Sequence, residues 1–572
     1  MRLLRVDMTA GVAREEPLPG NYGLLGGRAM SSRIVADEVP AGADPLGSEA
    51  KLVLAPGLLS GTVAPCSGRL SVGGKSPLTG GIKEANVGGR VATALAAHAI
   101  RAVVVEGKSE EFQLLYVGQD EGDHLEPCPE LVGLGNYEVV AKLYQRYGRG
   151  VAVASVGPAG ERGYPSASVA VNDLQGHPSR HAARGGLGAV MGSRGLKAIV
   201  VVPPGISSVA YYDEETFRAT AKRLREHLST SRRVFSRYGT SLMVNVNNEV
   251  GGLPTRNFSS GQFEGAASIS GETLNERNEG RGGRHRLACS PGCAIRCSNL
   301  VVDERGNHVT SSLEYETICL CGSNLGIDDL DAVARIDHAC DDVGVDTIEW
   351  GGAVGVAMEA GKLKWGDHEG VLRLLEEARR GEGLGALVAR GVKRTGEALG
   401  VKRVPHVKGQ GISAYDPRVF KAMGCTFATS PMGADHTAGA AIKGRKARAD
   451  RDYGDLADKE HKLELSLQLQ VYTAVMDTCG FCYFIGPSAE NLPAVTTLLN
   501  ARYNWGLSEA EVVGLAKELL RVELAFNRAA GFGEADDDLP EFFRTEPNVP
   551  RGTTWDVDPE ELRRAWDALD DL

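Results

Sequence analysis

Several things are missing from this chain, and each absence excludes something. There is no run of 18 or more apolar residues, so no membrane-spanning helix is expected. The first residues, MRLLRVDMTAG, carry neither a long apolar core nor a small-residue cleavage site, so no secretory leader is expected. A basic surplus is missing: 63 Lys and Arg face 74 Asp and Glu, for a formal net charge of −11. A nucleic-acid footprint would be basic and clustered, so no nucleic-acid partner is expected. Neither Gly-x-Gly-x-x-Gly nor a Walker loop occurs, which argues against ordinary dinucleotide or NTP binding. Finally, there is no pair of short Cys-x-x-Cys knuckles of the kind that completes many zinc sites; Cys479-Gly480-Phe481-Cys482 stands singly.

The remainder is a soluble globular composition, 42% hydrophobic and 24% charged, long enough at 572 residues for about two to four domains. Cysteines in a chain without an export signal point to a reducing cytoplasm, where they act as ligands or buried thiols. Three of the 11 lie close together in Cys289-Ser290-Pro291-Gly292-Cys293-Ala294-Ile295-Arg296-Cys297. That spacing lets several thiolates converge on one soft metal centre, an Fe–S cluster above all. A zinc site of four cysteines and three inert buried thiols are the competing readings. A cubane needs a fourth ligand, and Asp477-Thr478-Cys479-Gly480-Phe481-Cys482-Tyr483 offers Cys479 or Cys482. Cys319, Cys321 and Cys340 read as core thiols.

Glycine is abundant, 73 residues, and it clusters without a repeat. Two stretches stand out: 65–90, PCSGRLSVGGKSPLTGGIKEANVGGR, and 177–197, HPSRHAARGGLGAVMGSRGLK. Both read as loops whose N–H groups and guanidinium forks suit phosphate-like groups, against the plainer reading of turn glycines with solvated arginines. Short apolar runs at 51–54, 102–106, 112–117, 151–154 and 198–202 read as strands. Helices are expected at 90–98 and 137–147, then at 213–228, 328–343, 371–380, 385–399, 458–475, 491–499, 508–526 and 559–569. A hairpin is expected over 301–310. The fold class is therefore α+β: a β-rich N-terminal domain, 1–207, a helical domain with the cluster cysteines, 208–410, and a helical C-terminal domain, 411–572.

Glu314-Tyr315-Glu316 leads into an uncharged run, where burial would raise a carboxylate's pKa and suit it to proton transfer; both glutamates facing solvent is the plain alternative. Asp346 to Gly352 is a second candidate ligand turn. His436 lies in a polar, glycine-containing loop. The basic run 443–451 reads as a solvated face.

Together, SPLTGGIKEANVGGR, ARGGLGAVMGSRGLKAI, the cysteine stretch, EYETI and DTCGFCY resemble the aldehyde ferredoxin oxidoreductase family over essentially the full chain. The family binds tungsten or molybdenum through two pyranopterins beside a [4Fe-4S] cluster. The resemblance implies that Cys289, Cys293 and Cys297 are cluster ligands and that Cys482 is the fourth. Cys482 closes an Asp-x-x-Gly-[Leu/Phe]-Cys pterin motif that Asp477 opens and Gly480 and Phe481 continue. Asp346 opens the partner motif. Arg69 looks like the arginine between cluster and pterin. Asn86 and the backbone of Ala183 look like ligands of a magnesium bridging the pterin phosphates, with Arg184 and Gly185 in the same loop. Glu316 and His436 look like the two residues near the metal.

Two departures are visible: the first cysteine spacing is x3 where x2 is usual, and Glu349 stands where the pterin motif usually has glycine. A Glu-x-x-His iron site of some members is replaced by Asp337-His338, so no such iron is expected. The implied reaction is aldehyde to carboxylic acid, with Glu316 activating water or accepting a proton and His436 bonding the substrate carbonyl or oxo oxygen. Electrons would leave to ferredoxin or an electron-transfer subunit, from a homodimer on the family's pattern. The rival enzyme reading is a reductive member in a larger complex, acting on a carboxylate or aromatic thioester. A radical enzyme with an adenosylmethionine cluster would need a different last spacing near the chain start. A plain electron-transfer or zinc-stabilised binding protein would leave both Gly/Arg stretches and Glu316 without a role.

Overall fold

The computed structural model describes residues 1–442 and 444–572; Lys443, first residue of the basic run, lies outside the described residues. The fold is mixed α/β, β-rich at the N-terminus and mainly helical thereafter. Packing divides the chain into two compact units that interleave along the sequence. The first comprises 1–232, 288–295 and 471–531; the second comprises 233–287, 296–470 and 532–572.

The first unit is built on two six-stranded sheets. One has the order β2-β1-β6-β3-β4-β5: β1 Arg2–Asp7, β2 Val12–Pro17, β3 Leu52–Pro56, β4 Leu70–Lys75, β5 Ile82–Val87 and β6 Ile100–Glu106. Only the β1–β6 pair is parallel. The other sheet has the order β11-β10-β9-β12-β7-β8: β7 Gln113–Val117, β8 His124–Pro127, β9 Ala152–Ser155, β10 Val169–Val171, β11 Arg180–Ala182 and β12 Leu196–Val201. Apolar side chains of both sheets, among them Leu54, Val103, Ile199 and Val201, share one core. The near-continuous apolar runs of β6 and β12 fit strands buried on both faces.

The stretch 65–90, expected to be loop, contains the antiparallel pair β4–β5. Gly73 is the reason a strand was hard to see there. A Cβ at Gly73 would lie 2.6 Å from that of Ser31 on the helix Gly27–Glu38, so close helix–sheet packing demands the residue that weakens the strand pattern. Likewise 177–197 contains β11 and the helix Leu187–Ser193. The helix expected over 385–399 is two, Gly383–Val388 and Val392–Leu399, broken at Gly391 with φ +98°. The last expected helix is confined to Pro559–Arg563.

The second unit carries a three-stranded antiparallel sheet, β13 Arg284–Leu287, β14 Ser298–Val302 and β15 His308–Ser311, and a small hairpin, β16 His406–Val407 with β17 Gln410–Gly411. Around them pack helices including Leu330–Val343, Thr347–Glu359 and Lys421–Thr429. Among the described residues no helix is long and apolar enough to cross a membrane.

Candidate functional site

In the first unit the cysteine loop and the Asp477–Cys482 segment are held by a common set of neighbours. Ser290 to Cys293 forms a β-turn, closed by the Cys293 N–H donating to the Ser290 carbonyl at 3.3 Å, with Pro291 and Gly292 in its two central places. Gly292 has φ +75°, which suits the third place of a type II turn. This turn lies inside the Cys-x3-Cys spacing. The Cys289 thiol is pushed up by the adjacent Cys293 thiol and by burial, against the pull of Arg69 and Arg180.

Cys66, which sequence reasoning passed over, connects the two cysteine segments. Its N–H donates to Gly292, its carbonyl accepts from the Cys482 N–H at 2.8 Å, and its sulfur accepts from the Ala294 N–H at 3.3 Å. Cys482 is half-exposed, whereas Cys479 is buried at the helix end, so the pair offered by the sequence is distinguished by access. Cys297 lies in the second unit, immediately before β14. Cys319, Cys321 and Cys340 are buried. Among the described residues no three His, Cys, Asp or Glu side chains form a group that could hold a single metal ion.

The helix Lys462–Cys479 ends where the Phe481 N–H bonds back to the Met476 carbonyl and Gly480 turns left-handed at φ +80°. Segments from elsewhere clasp this end. Leu58 N–H donates to Thr478, Leu59 N–H to Cys479 and Arg69 N–H to Gly480, at 2.9–3.0 Å. A Cβ at Gly57 would fall on the backbone of Gly480, and one at Gly27 on the carbonyl of Asp477. Behind Asp477, Arg28 donates to both oxygens of the fully buried Glu523, at 2.9 and 2.7 Å, and lies 3.4 Å from Asp477. Burial, and then the charge of Asp477, push the nearby Glu84 up to about 8.

Beside this lies the second glycine-rich cradle. Arg69 donates to both the side-chain and main-chain oxygens of Asn86, leaving the buried Nδ2 of Asn86 without a protein partner. Gly88 packs closely between Arg69 and Cys289: a Cβ there would lie 3.2 Å from Nη1 and 3.4 Å from Sγ. Arg184 is buried, and Gly185 has φ +83° with its carbonyl held by Ser76 Oγ at 2.6 Å. Ala183 joins β11 to this turn.

The second unit holds Glu316, His436 and Asp346. Glu316 lies in the first turn of the helix Tyr315–Leu320, half-buried. Its Oε2 accepts from the Ala414 N–H at 2.8 Å, and its Oε1 is 3.5 Å from His436 Nε2. Tyr315 Oη donates to the Ala414 carbonyl at 2.5 Å and accepts from Asn247 at 2.7 Å, so Ala414 is gripped on both sides. The Tyr415 ring packs 5.3 Å from Tyr315 and 6.3 Å from His436. The buried Nδ1 of His436, Oγ of Ser413 and both side-chain polar atoms of Gln410 have no protein partner. Glu314 faces the other way, accepting from Thr240 and Ser312, so the solvent-facing alternative for this glutamate pair does not describe it.

Asp346 caps the helix Thr347–Glu359 by accepting from the Ile348 N–H at 3.0 Å. Glu349, in that helix, is fully buried and accepts from the Val392 N–H at 2.7 Å and the Gly411 N–H at 2.8 Å. The residue that departs from the pterin pattern thus ties the start of the helix Val392–Leu399 and the hairpin β16–β17 to its own helix.

Comparisons with known proteins agree with one another. The N-terminal domain of aldehyde ferredoxin oxidoreductase matches residues 3–203, and its domains 2 and 3 match 215–568. Tungsten-containing aldehyde ferredoxin oxidoreductases of Thermococcus kodakarensis and Pyrococcus furiosus are each 34% identical, covering 96% of this chain and 92% of theirs. An aliphatic sulfonate oxidoreductase WOR-like subunit of Pyrococcus furiosus is 25% identical over 63% of this chain and 58% of its own. Among solved structures, the active-site complex BamBC of benzoyl coenzyme A reductase superposes with a TM-score of 0.81 at 20% identity, covering all of this chain and 93% of that one, a likeness of fold. The chain is an oxidoreductase that belongs to the aldehyde ferredoxin oxidoreductase family.

Proposed function

We propose that this chain oxidises an aldehyde to a carboxylic acid at a tungsten (or molybdenum) bis-pyranopterin, passing electrons through a [4Fe-4S] cluster to ferredoxin. The observation that carries the reading is the Glu316–His436 pair, fixed by Ala414 in a chain of this family. Balance requires water as co-reactant: aldehyde and water give acid, two protons and two electrons. When bound, the metal–pterin group supplies the two-electron redox chemistry.

The residues present fit these groups. Thiols from two chain segments, Cys289, Cys293 and Cys297 in one and Cys482 in the other, are the donor type a cubane takes. The spare Nδ2 of Asn86, a donor beside the Arg69 guanidinium, suits the phosphate oxygens of a polar cofactor. Arg184, Gly185 and the Ala183 backbone would face the phosphates; Asp477, Gly480, Phe481 and Asp346 would contact the pterins. The chain's own chemistry lies in Glu316. The Ala414 N–H donates to Oε2 and holds the carboxylate in place, and the Glu316 carboxylate takes a proton from water or aldehyde. From Glu316 the proton can pass to Nε2 of His436, 3.5 Å away, whose Nδ1 remains to bond the substrate oxygen.

Glu316→Gln keeps the shape and the bond to Ala414 but removes the base. Turnover should fall about 10²–10⁴-fold with tungsten still bound; full activity in that variant would sink the assignment. The second reading, a catalytic subunit of a larger reductive complex, is favoured by the aliphatic sulfonate oxidoreductase relative being a WOR-like subunit. Subunits co-purifying from the native host, with thioester or carboxylate reduction in place of aldehyde oxidation, would select it.

A further inference from the structure

The helix Glu214–Ser231 runs beside the cysteine loop and shows an uncompensated cationic face there. Leu224 and Leu228 bury its inner side. Arg225 donates to the Val63 carbonyl at 3.2 Å, and the next carbonyl, of Ala64, would lie 3.7 Å from a Cβ on Gly292 of the cysteine turn. Arg232, just past the helix, donates to the carbonyls of Phe484 and Ile485 at 2.8 and 3.3 Å, directly after Cys482. Positions 222 and 225 share one helical face, Arg223 flanks it, and Lys222, Arg223 and Arg225 are exposed. Over 222–226 three cations, Lys222, Arg223 and Arg225, accompany one carboxylate, Glu226. At the far end of the helix Arg218 is paired with Glu214, but no carboxylate among the described residues pairs with Lys222, Arg223 or Arg225. Val63, 36% exposed, and the half-exposed Tyr483 and Phe484 add apolar contact at the rim.

We infer that this face docks an acidic one-electron iron–sulfur carrier. On a chain of net charge −11 an acidic partner is repelled nearly everywhere. A local cationic face beside the thiols would steer it to the point where transfer is short. The inference rests on the proposed reading in taking the cysteine site as the electron exit. Each aldehyde oxidised releases two electrons, so two oxidised carriers dock in turn and each leaves reduced by one.

The test uses the metal-loaded enzyme and a purified acidic single-cluster ferredoxin, with binding read by titration calorimetry and turnover read with ferredoxin or with a viologen dye. The variant is Lys222→Glu with Arg223→Glu, neither of which holds the cysteine segments; Lys142→Glu, exposed in the same unit, is the control. The expected result is ferredoxin binding weakened about tenfold or more, with a flattened salt dependence. Viologen-linked turnover should be unchanged and the control silent. Wild-type enzyme that binds no ferredoxin, or binding insensitive to both salt and the double reversal, overturns the inference. So does a reversal that only breaks up a dimer of this chain. Loss of viologen-linked aldehyde oxidation in the wild type would instead overturn the proposed function, while the binding titration still decides the docking face.

Discussion

The two compact units fix their candidate residues by different means. In the first, the Asp477–Cys482 segment is pinned main chain to main chain, by N–H groups of Leu58, Leu59 and Arg69 and by glycines at 27 and 57 that touch its backbone. In the second, carboxylates reach across: Glu316 to Ala414, and Glu349 to Val392 and Gly411. Backbone-to-backbone contact leaves no room for an added methyl. Carboxylate bonds can be removed one at a time. Damage should therefore be severe and local to glycines in the first unit, and graded in the second.

The largest effect is expected from Gly57→Ala, which should cost about 3–5 kcal/mol by denaturant unfolding. Gly80→Ala, at φ +85° with nothing within 4 Å, should cost only about 1 kcal/mol. Equal losses would break the comparison. Next, Glu349→Leu strands two buried N–H groups and should cost about 2–4 kcal/mol, with Gln at roughly half that because one acceptor survives. A neutral Glu349→Leu would mean the carboxylate is no brace.

A smaller effect is expected at His406. Burial, then Lys393, hold its pKa down to about 4. The unfolded chain takes up its proton near the ordinary value of about 6.5, so the native state binds fewer protons between those values. Stability should fall as pH drops through that window, by about 1–3 kcal/mol. His406→Asn should flatten the slope; an unchanged slope would assign it to other groups. Smallest is Ser413→Ala. Its hydroxyl is buried without a protein partner, so the metal-free chain should change by no more than about 1 kcal/mol. A large loss there would reveal a bond to Ser413 in solution.

Much of this was legible in the sequence, and the exceptions share a cause. The runs that became β6 and β12 could be read because their burial is written in consecutive apolar residues. β4 and β5 could not, because Gly73 is there to admit Ser31, a contact no local pattern carries. The Cys289–Cys293–Cys297 and DTCGFC stretches announced thiol chemistry, and Glu316 and His436 are brought within 3.5 Å. Cys66 and the Arg28–Glu523 pair, 495 residues apart in sequence, had no local signal. Glu349 looked like a flaw in a cofactor motif and is a buried brace. The acidic total charge concealed the cationic helix face, because a sum cannot show segregation. The expected division at 207 and 410 follows composition along the chain, while the units interleave through packing of 288–295 and 471–531 with the N-terminal sheets.

The most direct test of the central claim is elemental analysis of the protein purified without oxygen from a host that makes the pterin cofactor. The account predicts about one tungsten or molybdenum and about four irons per chain. Iron without either heavy metal would contradict the aldehyde chemistry, and zinc alone would contradict the cluster as well.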